Sequence, residues 1–410
     1  MHIRTLLLTA LFASSVLAQD FTWHTNELDQ IVLDSYTGTD VDVVMPDEIE
    51  GLPVVRFGET FQSSETQIES LVLSTNITFL EDWSLADLPS LRSVVLPPNL
   101  SGLGHSVFQG SGIVTATVPA SVTAFGENIF NQCRSLATVY FEEGCSVVPN
   151  GMFSLAAPLS SVSLASTITH IDSGAFLGSA LSSITIPPSV GSLGVGAFTE
   201  CESLGSVYFE PGALTNISST AFYGCLSLTN ATLPDGVVSI GNQAFYWSDL
   251  RTIVLPSSVT SLGTEVFFGC SSATSAIIGA GIVHLPAGSF RECASLLSVQ
   301  FEGDTASIDS HAFRDNVALP TLALPDSLGT IAASAFQGCI TLSEILLGAN
   351  SALTNVSQNA FSDCAALSSI SVPVRQSPLH YGAGNPALIV IPSSESGGGG
   401  INGSSILGMP

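Results

Sequence analysis

The sequence predicts a repeat solenoid of about fourteen coils, each about 23 residues long. Each coil is expected to give one short parallel strand, with loops or short helical turns on the other face. Two observations carry this. A phenylalanine recurs at Phe108, Phe130, Phe153, Phe176, Phe198, Phe222, Phe245, Phe267, Phe290, Phe313, Phe336 and Phe361, at intervals of 22 to 25 residues. A common pattern surrounds it, as in "AFYGCLSLTNATLP" (221–234) and "AFSDCAALSSISVP" (360–373). Self-similarity at such a period marks a stack of units that bury apolar side chains only against their neighbours. A long chain then does not require several globular cores.

The elements follow in chain order. "MHIRTLLLTALFASSVLAQD" joins the basic Arg4 to an apolar stretch from Thr5 to Leu17, with Val16 and Ala18 placed as at a cleavage site. Residues 1–18 therefore read as a secretory signal peptide, too short for a membrane span. No later run approaches the eighteen or so apolar residues a span requires. Residues 19–57 form a lead-in, and 58–378 the solenoid, whose first units are keyed on Phe61 and Leu85. Residues 379–410 hold a terminal cap remnant, with Leu388–Ile391 as a last strand, and a Gly/Ser-rich flexible tail.

Within one coil, take the key Phe as position zero. Position +6 is usually Leu, as at Leu136, Leu204, Leu228 and Leu342. Positions +9 and +11 are apolar and the residues between them mostly polar, as in Val139/Phe141 and Val207/Phe209. That alternation is strand periodicity. Pro often follows, where no ladder donor is needed, as at Pro234, Pro256 and Pro325. A polar loop with a second apolar pair leads back to the next "AF" turn. Fourteen strands about 4.8 Å apart would stack to roughly 65 Å.

The consensus "AFxxCxxLxxVxLPxxVxxIGxxAF" resembles the BspA-like, Treponema-type leucine-rich repeats of secreted and surface proteins. The lead-in "IVLDSYTGTDVDVVMPDEIEGLPVVRFGETF" (31–61) is similar to that family's N-terminal phrase. The resemblance spans about residues 31–373. It implies a leucine-rich repeat solenoid and a role in adhesion or recognition. It implies no catalytic residue.

Charge narrows the partners. The chain carries 34 acidic residues against eight arginines and no lysine, a net charge of −26. Such a surface is repelled by phosphate backbones and anionic lipids, so nucleic acid is excluded as a partner. The acidity serves solubility or a basic partner. Sequons stand at Asn76, Asn99, Asn216, Asn230, Asn355 and Asn402. They are candidate glycosylation sites if the host is eukaryotic.

Seven of the eight cysteines occupy position +3: Cys133, Cys201, Cys225, Cys270, Cys293, Cys339 and Cys364. Other coils place Ser111, Ala156, Ser179, Ser248 or Asn316 there, so the slot reads as a small buried one. Cys201/Cys225, Cys270/Cys293 and Cys339/Cys364 fall in adjacent coils, however. Stacked Cα atoms about 4.8 Å apart lie inside the disulfide window. Buried thiols and inter-coil disulfides both remain open.

Nothing in the sequence suggests an enzyme. The histidines fall at unequal repeat positions, and there is no nucleophile elbow, phosphate loop or calcium loop. The cysteines and histidines do not have metal-ligand spacing. No catalytic residue, cofactor or metal is expected.

The strand face is the remaining candidate. The residue before each +9 position should face outward: Ser70, Ser93, Thr115, Thr138, Ser161, Ser183, Ser206, Asn230, Thr252, Ser275, Ser298, Thr321, Glu344 and Ser369. Twelve of these fourteen are Ser or Thr, which suits either ordinary strand propensity or a weakly polar recognition strip. The next outward column is mixed and includes Thr185, Thr232, Tyr140 and Tyr208. The two tyrosines are the candidate anchors, with Glu142 and Glu210 following on the same strands.

The leading functional reading is a secreted, non-catalytic binding scaffold, extracellular or associated with the cell surface, whose partner is a protein or glycan. The alternatives are a structural extracellular spacer and an ice-binding solenoid. Bulky side chains such as Tyr140, Tyr208, Val254, Ile277 and Leu346 interrupt the hydroxyl rows that ice binding would need.

Overall fold

The computed structural model describes residues 18–58, 67–373, 380–381 and 387–391. The leader up to residue 17, the unit key Phe61 and the tail with Asn402 lie outside them.

The +8 to +11 alternation forms strands. All fourteen residues expected at the first outward position open one, from Ser70–Val72 to Ser369–Pro373. Successive strands run parallel and in register, so Thr115, Thr138 and Ser161 lie side by side. In Ser206–Phe209 the residues alternate exposed and buried along the strand, as a half-buried pleat requires. The column begins in the lead-in, where Asp42–Val44 pairs with Ser70–Val72. At the other end Ala387–Ile391 pairs with Ser369–Pro373.

A second parallel column runs along the segment read from the sequence as a polar loop. It is built of two-residue strands, including Val147–Val148, His170–Ile171, Ser192–Leu193, Asn216–Ile217 and Ser239–Ile240. Val148, Ile171, Leu193, Ile217 and Ile240 turn inward and are buried. Two residues per rung are too few to show a period, so only the stack reveals the pairing.

The third side is the turn around the key Phe, and it is not helical. The only helix among the described residues is the 3-10 turn Ala18–Asp20. Left-handed residues flank each Phe, for example Thr220 (φ 55°) and Gly224 (φ 69°) about Phe222. This geometry directs backbone donors to the next coil instead of back along the chain. The N–H groups of Thr220, Phe222 and Gly224 donate to the carbonyls of Asn242, Ala244 and Tyr246 at 2.8–2.9 Å. Much of the backbone hydrogen bonding is thus satisfied between coils, as a buried turn demands.

The core is one continuous cluster running the length of the stack. Its axis is a column of phenylalanine rings from Phe108 to Phe361, with adjacent centroids 5.1–5.7 Å apart and near-parallel planes. Burying one such ring contributes about 1.5–3 kcal/mol. Aromatic pairing adds about 0.5–1.5 kcal/mol per contact. At the N-terminal end, Phe21–Thr25, Ile31–Tyr36, Leu52–Phe57 and Glu48–Ile49 make a four-stranded sheet. Its buried Phe21, Ile31, Leu33 and Val54 belong to the same core.

Candidate functional site

The outward columns form one face of the solenoid. Tyr140 and Tyr208 are 50% and 62% exposed, so at least half of each residue meets solvent. They do not form one site by contact. Tyr140 lies between Thr117 and Ser163, and Tyr208 beside Thr185. Three strand steps separate them, roughly 14 Å. Around Tyr208 the candidates gather: Ser206 aligns with Ser183 on one side and Asn230 on the other. Thr138 and Glu142 accompany Tyr140 on its own strand segment, and Thr138 is half-buried.

The strand ladder is interrupted at intervals along the column, after Val95, Ser163, Ala231, Phe301 and Leu347. A cavity of about 870 Å3 lies between the coils of Ser206–Phe209 and Asn230–Ala231, lined by Ser206, Tyr208, Pro211, Asn230, Thr232 and Asp235, among others. The acidic residues on this edge also bond within the chain. Glu142 accepts from the N–H of Ala120 at 3.1 Å, and Glu143 accepts from Ser166 Oγ at 2.8 Å and its N–H at 3.1 Å. Those bonds from Ser166 hold the Glu143 carboxyl below its usual range. Both carboxylates thus tie neighbouring loops together, which leaves the half-buried Glu210 as the less engaged of the acidic candidates.

Sequence reasoning missed a second feature, on the turn side. Position +1 carries Tyr223, Tyr246, Phe268, Arg291 and Arg314 in five successive coils. Tyr223 stacks on Tyr246 at 5.0 Å and Tyr246 on Phe268 at 4.4 Å, while Arg291 caps Phe268 at 5.0 Å. The signal was present in the residue after each key Phe, but it carries meaning only once the turns are known to stack.

Comparison with known proteins agrees with this geometry. The pattern of the BspA type leucine-rich repeat region (six copies) matches residues 58–182, 169–296 and 283–381. The chain belongs to the BspA type leucine-rich repeat family. Among solved structures, a leucine-rich repeat protein from Bacteroides ovatus is 20% identical, with a TM-score of 0.60, covering 92% of this chain and all of that one. A leucine-rich cell surface protein from Faecalibacterium prausnitzii is 21% identical, with a TM-score of 0.45, over 86% of this chain and 93% of that one. The pneumococcal vaccine antigen PcpA is 15% identical, with a TM-score of 0.46, over 80% of this chain and 96% of that one. No curated protein matches. The family is one of surface and secreted repeat proteins with binding or scaffolding roles, generally without catalysis.

In this BspA type chain the +3 slot does more than accept a small side chain. All eight cysteines are free and buried. Cys201, Cys225, Cys270, Cys293, Cys339 and Cys364 each donate from Sγ to the carbonyl of a key Phe in the preceding coil, at 3.1–3.4 Å. Cys133 does the same to Phe108, and Asn316 Nδ2 replaces the thiol in bonding Phe290 at 2.9 Å. The slot therefore favours a small group able to donate.

The sequons differ in access. Asn76, Asn99, Asn230 and Asn355 are exposed. Asn216 is half-buried, its amide donating to Ser218 Oγ and accepting from Ser239 Oγ. Among the described residues there is no cluster of three metal-ligating side chains, and no helix is long and apolar enough to cross a membrane.

Proposed function

We propose that this BspA type protein is a secreted, non-catalytic binding scaffold that recognises an extracellular protein or glycan through its strand face. The cavity beside Tyr208 carries the reading. It joins an exposed aromatic ring to the hydroxyl and amide groups of Ser206, Thr232 and Asn230, with Ser183 and Thr185 on the adjoining strand. A concave surface with one aromatic anchor and a few polar groups is the usual form of a recognition site. Tyr offers contact area at low entropy cost. Tyr140 and Thr138 extend the same face. The leader-like N-terminus supports secretion.

The test is surface plasmon resonance of the purified chain against a panel of matrix proteins and glycans, with Tyr140→Ala/Tyr208→Ala alongside. At least one partner should bind the parent chain and lose most of its affinity for the variant. A panel bound equally by both proteins would place recognition elsewhere on the solenoid.

A further inference from the structure

We propose that Trp247 and the cavity beside it form a subsite for a neutral carbohydrate, on the turn side and independent of the strand face. Trp247 occupies the +2 slot, which is left-handed in each coil from Phe108 to Phe361 and holds glycine in some coils, as at Gly224 and Gly269, and a larger residue in others, as at Gln132, Leu155 and Glu200. Its own φ is 55°. The indole is braced by Tyr246, with centroids 5.1 Å apart, and by Tyr223 at 6.3 Å. It also lies directly over Gly269, where an added Cβ would strike Trp247 Cδ1. Nothing larger than glycine allows the ring to rest there, yet it remains 49% exposed.

The adjoining cavity, about 470 Å3, is bounded by Leu226, Trp247, Asp249, Ser271, Glu292 and Asp315. Its polar chemistry selects the ligand. Glu292 is held by Arg291 at 3.2 Å and Asp315 by Arg314 at 3.1 Å. Those pairs fix two carboxylates and cancel two of the three negative charges. Asp249 has no hydrogen-bond or ion-pair partner among the described residues. The site therefore offers positioned acceptors beside an aromatic face, with little net charge.

A pyranose matches this. Its hydroxyls donate to the carboxylates, and its polarised C–H groups pack on the electron-rich ring face. A sulfated or phosphorylated ligand would meet three carboxylates. A cationic one would meet two guanidinium groups close by.

Affinity electrophoresis tests this, in gels containing laminarin, mannan or xyloglucan as neutral probes, with heparin and polylysine gels as charged ones. The full chain should be retarded by at least one neutral polysaccharide. Trp247→Gly should abolish that retardation, Asp249→Ala should weaken it about tenfold, and Tyr140→Ala/Tyr208→Ala should leave it intact. Glycine suits the left-handed slot, so Trp247→Gly should fold and melt no lower than the parent. Three results would overturn the proposal: no retardation in any neutral gel, retardation unchanged by Trp247→Gly, or Trp247-dependent retardation only by a charged probe. The tyrosine variant separates this site from the strand face, since each reading can fail alone.

Discussion

Phe198 and Phe222 stack with ring centroids 5.2 Å apart and planes 2° from parallel. They sit 24 residues apart in the chain, one coil apart in space. The contact repeats along the column, so each interior ring is supported by the rings of the coils on either side, and Phe222 also by the edge of Phe209 at 6.3 Å.

Phe222→Ala should therefore cost about 3–5 kcal/mol, the usual loss for a buried aromatic. Because the coupling is between nearest neighbours, damage should spread outward from that coil and broaden the transition. Thermal unfolding followed by circular dichroism reports both effects. A melting curve identical to the parent's would contradict the burial of Phe222.

The thiols give a pH signature. Burial pushes Cys133 and Cys201 up to about 11 and Cys270 up to about 12, against an ordinary value of 9.0. The folded chain then retains protons that the unfolded chain releases above pH 9.0. Their contribution to stability is full below that pH and is lost as pH rises through about 11 to 12. The urea midpoint should hold near pH 8 and fall from pH 9 to 11, with a shallower fall in Cys201→Ser/Cys270→Ser. Thiol counting in denaturant without reductant should find most of the eight cysteines free; two or fewer would indicate inter-coil bridges.

Gly178 tests the turn geometry. Its φ is 67°, and a Cβ placed there meets Leu155 Cδ2 at 3.2 Å, which can move aside, and Leu155 Cα at an ordinary 3.9 Å. The penalty for Gly178→Val should thus come from the backbone, about 1–2 kcal/mol. A chemical denaturation midpoint unchanged by this substitution would argue against a left-handed residue at that position.

For the strand face, a protein partner bound across Tyr140 and Tyr208 should lose about 2 kcal/mol or more in the double alanine variant. Both rings point to solvent, so the melting temperature should stay at the parent value. If the partner is basic, affinity should fall as ionic strength rises from 0.05 to about 0.5 M, where the screening length shortens to a few ångströms. Calorimetric titration at two salt concentrations measures this, and a salt-independent affinity would remove the acidic edge from the interface.

Much of the architecture was legible in the residues. Phe222 and its counterparts mark the period, and the alternation Ser206–Val207–Tyr208–Phe209 states which side of each strand is buried. Outward columns follow by counting, since a strand allows only two faces. The thiols were legible as buried, but their bonds to Phe carbonyls were not, because the acceptor lies in another coil. The bonds of Glu142 and Glu143 were not legible for the same reason: Ala120 and Ser166, which engage them, are 22 and 23 residues away.

By itself, the sequence determined the solenoid, its spine and its two outward columns. All three depend on side-chain period, which is a local property of the chain. The tertiary structure alone decided the second strand column, the hydrogen-bonded stacking of the left-handed turns, the cavity beside Tyr208 and the placing of Trp247 over Gly269. Each of these depends on which residues meet across coils, and slight differences in coil length, such as 24 residues from Phe198 to Phe222 against 22 from Phe245 to Phe267, change that register without disturbing the period.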